Sequence, residues 1–407
     1  MDHALVFLAL AMYPIASITW MKLYLFVCGG MAVVYLISHV FRGTAPLSTV
    51  KLGWPVYAFV TLAVASAAWS IDRTGTLMGS TWLVASFAVF HASLVLLRRR
   101  GRSWLLRVAL FAPVVWACVA AWVILRWGSF RSTSLEMGAV IGSLSNQGPA
   151  VTELAIPYLL YIMVAEPRMR RAALGAMGCA LFLAVASQSR GALLLLGVTV
   201  TLFVLLFGRK TATKIRRTAG LLVVGGGLLA VVWWTVGPSY FSDPVERIQT
   251  SFMLDVSTVD DPTMEGSDYQ RTVMYLEGIN AIRAHGTTGI GYRALASYIE
   301  ANYGWRLISH NIIITAWGEM GLCGLALALI IVVVGTRRVW TARAAARRVD
   351  ARAFYFHTAT LIAWCIALMH AQLRPQLSNP MFHIVAASVF AAGVGGAHRS
   401  RDARHSG

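Results

Sequence analysis

His310 and Asn311 stand at the head of an apolar run that carries a carboxylate, Glu319, nine residues past the histidine and glycines at Gly321 and Gly324. A histidine in such a place can take a proton near neutral pH. Arginines fall on the same side of the apolar runs. Arg190 lies in "SQSRGALLLLG", and Arg247, Arg271, Arg283, Arg293 and Arg306 lie in the polar stretch before the histidine. Arginine grips phosphate oxygens with a planar, bidentate fork. Together these types suit a histidine that takes the proton of a hydroxyl nucleophile beside arginines that neutralise a pyrophosphate leaving group. A lipid-anchored pyrophosphate would carry its charge at this depth. No acidic cluster with metal-ligand spacing accompanies them, and the one adjacent acidic pair, Asp260 and Asp261, lies in a polar tract. The chemistry expected here uses no metal and no cofactor.

Each residue also has a plainer reading. A histidine at a membrane interface is often a structural hydrogen-bonder. Arginines near span ends, such as Arg126, Arg131 and Arg306, often snorkel to water. Arg190 departs from that pattern, because it sits in a very short link on the side where basic residues are disfavoured. His285 reads as a helix-end residue beside a glycine stop, and His91 as a packed residue inside a span. Glu319 is open between orienting His310 and bonding across helices.

The elements that must hold these groups follow from composition. The chain has 407 residues, 57% hydrophobic and 13% charged, where soluble domains carry about 25% charge. Twelve apolar runs recur, roughly 4–20, 23–41, 52–69, 75–97, 104–125, 148–164, 172–187, 191–207, 218–236, 311–335, 353–370 and 381–397. Most are long enough to cross about 30 Å of hydrocarbon as helices, and none has the period-2 pattern of barrel strands. The expected class is all-α: a polytopic membrane protein with about twelve transmembrane helices. Spans one to nine fall in 1–236, a large polar loop in 237–309, and spans ten to twelve with a basic tail in 310–407. The first run has no basic segment ahead of it and no clear cleavage site, so it reads as a retained span. The five cysteines all fall in apolar runs, without CxxC spacing, and read as small buried apolar residues.

Most of the 35 Lys and Arg residues fall on one side if the amino terminus is cytoplasmic, and the alternation holds loop by loop. Both termini are then cytoplasmic, and the large loop and the histidine face outward, which in a bacterial inner membrane is the periplasm. The net charge of +18 is a topology signal, and no nucleic acid is expected. The large loop is acidic at first. It then carries a candidate amphipathic helix over about 268–284, with Val273, Leu276, Ile279 and Ile282 on one face, and a short helix over about 294–302.

Four segments resemble the O-antigen ligase/polymerase superfamily of bacterial inner-membrane proteins. "SQSRGALLLLG" is similar to its Ser-Arg-Gly segment at the start of a span. "DYQRTVMYLEGINAIRAHGTTGIGY" is similar to its Arg-led helix ending in a Gly-x-Gly turn. "HNIIITAWGEMGLCG" is similar to the ligase-type His-Asn, nine residues, Gly, two residues, Gly pattern, and is the most specific of the four. "SNQGPAVTELAIPYLL" resembles the Asn-rich start of a mid-chain span. The order of spans fits as well, so the resemblance covers most of the chain. One departure is "HGTTGIG", which lacks the proline common before the turn and so weakens any role for His285.

The resemblance implies a GT-C-like, metal-independent, inverting membrane glycosyltransferase with its active site on the periplasmic side. Its partners would be undecaprenyl-pyrophosphate-linked O-antigen as donor, lipid A-core as acceptor, and membrane lipids. By position His310 is the base or acceptor-orienting residue, with Asn311 and Glu319 beside it. Arg190 and Arg271 bind the donor pyrophosphate, with Arg247, Arg283 and Arg293 as further candidates. An O-antigen polymerase and a protein O-oligosaccharyltransferase share the donor and differ in the acceptor. A lipid-linked glycan transporter would instead place its site near the midplane, between repeats. No repeat is visible, and the polar groups gather at one face.

Overall fold

The computed structural model describes residues 2–18, 30, 34–35, 47–127, 140–187, 190–207, 267–304, 306–307, 309, 311–373, 377 and 379–392. Among them every regular element is helical. In chain order the helices are α1 (Asp2–Ile18), α2 (Leu47–Ala65), α3 (Arg73–Arg100), α4 (Arg102–Trp127), α5 (Val140–Ala165), α6 (Arg170–Ala186) and α7 (Arg190–Phe207). They continue with α8 (Ser267–His285), α9 (Leu295–Tyr303), α10 (Gly321–Val349), α11 (Ala351–Leu373) and α12 (Pro380–Ala391). Seven described helices are long and apolar enough to cross a membrane, in α2 to α6, α10 and α11. Shorter apolar stretches occur in α1, α7 and α12. The apolar run expected at 218–236 lies outside the described residues, as does all of 23–41 except 30, 34 and 35.

Local signals set the helix ends. Asp72 caps α3 by accepting from the Gly75 N–H at 2.8 Å, because the first turn of a helix leaves its N–H groups unpaired. At its other end Arg98, Arg99 and Arg100 fill the last turn, where the helix dipole favours cations, and Gly101 closes it. Asn379 caps α12, with Pro380 at the first helical position, where the missing N–H costs nothing.

The helices form two bodies of apolar packing. The larger is a bundle in which α3 and α5 are buried along most of their length, while α10 is peripheral and presents most of its surface outward. Its core includes Phe90, Trp116, Tyr158 and Trp364. The smaller is a cap, in which Val273, Met274 and Ala281 of α8 pack with Ile290, Ala294, Leu295, Ile299 and Ile314.

Basic residues gather at one end of the bundle. Arg338 donates to the carbonyls of Leu52 and Phe390. Arg343 donates to Thr358 Oγ1 at 2.9 Å and to the Leu206 carbonyl, and Arg102 pairs with Glu166 at 3.8 Å. The cap sits at the opposite end, against the corner between α2 and α3 and the end of α11.

The structure corrects two expectations. On α8 the buried face is Val273, Met274, Glu277, Gly278 and Ala281, whereas Leu276 and Ile279 are exposed and Ile282 is half-buried. The helix packs through small residues, with Gly278 against Ile314. Of the cysteines, Cys118 and Cys323 are exposed and Cys179 and Cys365 half-buried, all as free thiols, while Cys28 lies outside the described residues. A membrane helix has an apolar outer surface as well as an apolar interior, so an apolar run does not imply packing.

Candidate functional site

The run expected as a span over 311–335 divides in two. Asn311 caps a single turn, Ile312–Ile314, its Oδ1 accepting from the N–H groups of Ile313 at 2.8 Å and Ile314 at 3.1 Å. A π-helical turn, Thr315–Glu319, follows, and the long helix α10 begins only at Gly321. Glu319 therefore precedes the membrane-length helix instead of lying inside it. A π turn leaves backbone groups outside the ordinary i to i−4 ladder and recurs at functional sites.

The loop from His285 to Ala294 fills that gap. Ile290 N–H donates to the Gly318 carbonyl at 3.1 Å and Gly291 N–H to the Glu319 carbonyl at 2.8 Å. Leu322 N–H returns a bond to the Thr287 carbonyl at 3.2 Å. Two glycines permit this approach. At Gly289, with φ 76°, an added Cβ would lie 2.3 Å from the Glu319 carbonyl oxygen; at Gly321, with φ 69°, one would lie 2.4 Å from that of Thr287. Both positions combine a left-handed backbone with no room for a side chain. The loop's other edge is fixed to the bundle. Trp69 Nε1 donates to the Thr288 carbonyl at 2.9 Å, Ile71 N–H to the Ile290 carbonyl at 3.0 Å, and Tyr292 N–H to Ser66 Oγ at 2.9 Å.

Glu319 ends this junction. Its side chain is buried, and Oε2 accepts from the Arg293 N–H at 2.7 Å. Burial pushes its carboxyl up to about 7, against the opposing pull of the Arg293 N–H and charge and of the Leu295 N–H at the start of α9. The contact described is to the backbone of the loop; an orienting role toward His310 involves a residue outside those described. Arg293 has φ 65°, the one positive value at a non-glycine among the described residues. Such a conformation costs roughly 1–3 kcal/mol and persists where the surroundings enforce it. Its stem lies against Gly79 of α3, and the residue is half-buried.

A second clasp docks α9. Asp72 accepts from Ser297 Oγ and, at 3.1 Å, from Arg306 Nη2, which itself donates to Ser297 Oγ at 2.6 Å. These bonds, with that from Gly75, hold the Asp72 carboxyl below its usual range. Arg306, placed among the snorkelling residues, pairs with Asp72 and with Glu300 at 3.2 Å. Glu277 on α8 is buried, accepting from Asn280 and Asn302 at 3.3 Å each and from Tyr303 at 3.1 Å.

The structure brings several of the expected site residues to this end. Arg271 lies in the early turns of α8, which meets the π turn at Gly278 and the end of α11 through Tyr275 Oη, a donor to the Gln372 carbonyl at 3.3 Å. Arg190 opens α7; α7 ends at the basic end, where Leu206 meets Arg343, so it begins at the cap end. The side chains of Arg190 and Arg271 lie outside what is described, as do all of His310 and Arg247. His310 is flanked by Ser309, which is buried, and by the capping Asn311. Arg283 is exposed on α8, and His285 ends that helix. Among the described residues no three His, Cys, Asp or Glu side chains converge as a metal site would require. Sequence reasoning missed Asp72, whose spacing to Gly75 marks a helix cap, and Glu153, a carboxylate inside an apolar run.

Residues 175–329 match the family model described as O-antigen ligase. The matched stretch is more than a third of the chain, and it contains all eight residues from Arg190 to Glu319 singled out in the sequence. None of the curated proteins compared with the chain matches it.

Proposed function

From the assignment of this chain to the O-antigen ligase family, which the match over residues 175–329 supports, we propose that it is an O-antigen ligase. That is one branch of a family of O-antigen ligase/polymerase-type membrane glycosyltransferases. In this reading it moves O-antigen polysaccharide from undecaprenyl pyrophosphate to a sugar hydroxyl of lipid A-core, in the bacterial inner membrane. Its termini are cytoplasmic and its cap is periplasmic.

The observation that carries the reading is the junction of the Gly-x-Gly loop with the π turn. Arg293 and Glu319 meet there, and α8, which carries Arg271, lies at the same end of the bundle as the start of α7 at Arg190, which supports a donor site there that His310 would complete. At that end a polyprenyl tail can stay in hydrocarbon while its pyrophosphate meets arginines. His310 takes the proton of the acceptor hydroxyl as the oxygen attacks the anomeric carbon. The bond to the pyrophosphate oxygen breaks on the opposite face, which inverts configuration. Arg190 and Arg271, with Arg293 as a further donor, neutralise the departing diphosphate. Asn311, its Oδ1 committed to the helix cap, offers its amide N–H groups to the acceptor. Glu319 holds the loop. Pyrophosphate is already a good leaving group, so this chemistry calls for no metal.

The test is expression in a bacterium lacking its own ligase. Capping of lipid A-core with long O-antigen supports the proposal. Extension of lipid-linked O-antigen without transfer to core would make the protein a polymerase instead.

A further inference from the structure

Two ionisable side chains outside the matched segment remain unused by this reaction. Glu153 on α5 and His370 on α11 form an ion pair, with Nε2 against Oε2, and are about 1% and 0% exposed. His370 Nδ1 is also buried and has no hydrogen-bond partner among the described residues. Ionisable side chains inside a membrane bundle are costly and are kept mainly where they do something. Apolar residues of similar volume often stabilise a bundle as well or better, so what such a pair adds is a fixed geometry more than stability.

The surroundings place the pair under the cap. Pro157, four residues after Glu153, has no N–H to give the Glu153 carbonyl, so α5 is broken in its hydrogen bonding where it carries the carboxylate. His370 lies two residues before Gln372, whose carbonyl receives the Tyr275 hydroxyl of α8, and Tyr275 is one turn from Arg271. Helices α5 and α11 pack on each other and on α7, whose first residue is Arg190. The pair thus ties together the helices under the two arginines assigned to the donor pyrophosphate.

We propose that Glu153 and His370 are a positioning pair for donor binding: their side-chain contact fixes α5 against α11 and so sets the spacing of the α7 start and of α8 over the phosphates. The pair touches no reacting atom. A weakened contact shifts those backbones and loosens the grip on the diphosphate, while the cap keeps its own chemistry. The inference rests on the ligase reading.

The experiment uses the full-length protein in detergent micelles, with undecaprenyl-pyrophosphate-linked glycan as donor and lipid A-core as acceptor. Undecaprenyl pyrophosphate alone is the binding probe. Glu153→Gln keeps the shape but replaces the ionisable carboxyl by an amide. The double variant Glu153→Leu with His370→Leu replaces the pair by apolar packing. Both are expected to keep the thermal midpoint within about 3 °C, and to raise KM for the donor, and Kd for the probe, by about tenfold or more. KM for the acceptor should stay put. Wild-type donor KM in both variants overturns the inference, as does activity lost only in proportion to the folded fraction. A wild-type protein that transfers nothing and binds no probe brings down the ligase reading, and this inference with it.

Discussion

The loop junction of the cap and the bundle bury polar groups by different means. In the cap the Glu319 carboxylate is answered by main chain, the Arg293 N–H, and the loop is held by bonds among the backbones of residues 287–291 and 318–322. In the bundle the answers are side chains: His370 for Glu153, Ser388 for Tyr158, and His91 for Tyr57. The difference follows from where backbone groups are free. A membrane helix spends nearly all of its N–H groups on itself, so a buried side chain that needs a donor there is answered by another side chain. A π turn facing a glycine loop has N–H and C=O groups to spare. The junction is therefore specified by residues that permit a backbone path, and the bundle by pairs of side chains that find each other.

If the chemistry belongs to the cap, the largest losses should come from substitutions there that leave the bundle intact. His310→Ala is expected to lower turnover by about 10²- to 10⁴-fold, with membrane insertion and the pool of lipid-linked donor unchanged. A normal lipopolysaccharide ladder from that variant removes the base assignment. Next come Arg190→Ala and Arg271→Ala, each expected to weaken undecaprenyl pyrophosphate binding roughly 10- to 100-fold through loss of a charge-assisted hydrogen bond. Unchanged affinity in either variant refutes that arginine's role in holding phosphate.

The two regions were also unequally legible in the sequence. The bundle could be read from length and apolarity, since a bilayer demands both, and its basic end could be read from the placement of Lys and Arg. Its internal partners could not: Glu153 and His370 are 217 residues apart, and nothing local to either names the other. In the cap, the helix at Ser267–His285 and the shorter one at Leu295–Tyr303 lie close to where periodicity put them. The face of α8 did not, because the helix packs through Glu277, Gly278 and Ala281, residues that an apolar period passes over. The role of Glu319 depended on a π turn and on a loop 26 residues upstream, neither of which leaves a mark in its neighbours. Gly289 and Gly321 were visible as residues, but the contact that requires them is tertiary.

Glycine substitution sharpens the contrast at a smaller scale. Gly289→Val places a branched side chain at φ 76° and against the Glu319 carbonyl. The left-handed backbone alone costs about 1–2 kcal/mol, and the clash adds to it. The loop should detach from the π turn while the bundle stays folded. Limited proteolysis would then cut within residues 285–294 far faster than in wild type, with the membrane helices still protected. Equal protection of the loop in both proteins would mean that backbone packing does not specify the cap.

The smallest effect expected is a change of slope. Glu319 keeps its proton up to about pH 7 in the folded cap, against the ordinary 4.5 in an unfolded chain. Between those values the folded form binds the extra proton, so cap stability falls as pH rises and the loss is complete above about 7. From pH 6 to 8 the fall is roughly 1 kcal/mol. Glu319→Gln retains an oxygen for the Arg293 N–H but has no proton to lose, so its cap should show no such fall. Hydrogen exchange at the Arg293 and Leu295 amides, followed from pH 6 to 8 after correction for intrinsic rates, reads the difference directly. The same slope in both proteins would place the titration elsewhere and leave Glu319 as a neutral hydrogen-bonding strut, more like the bundle's side-chain pairs than the main-chain clasp described above.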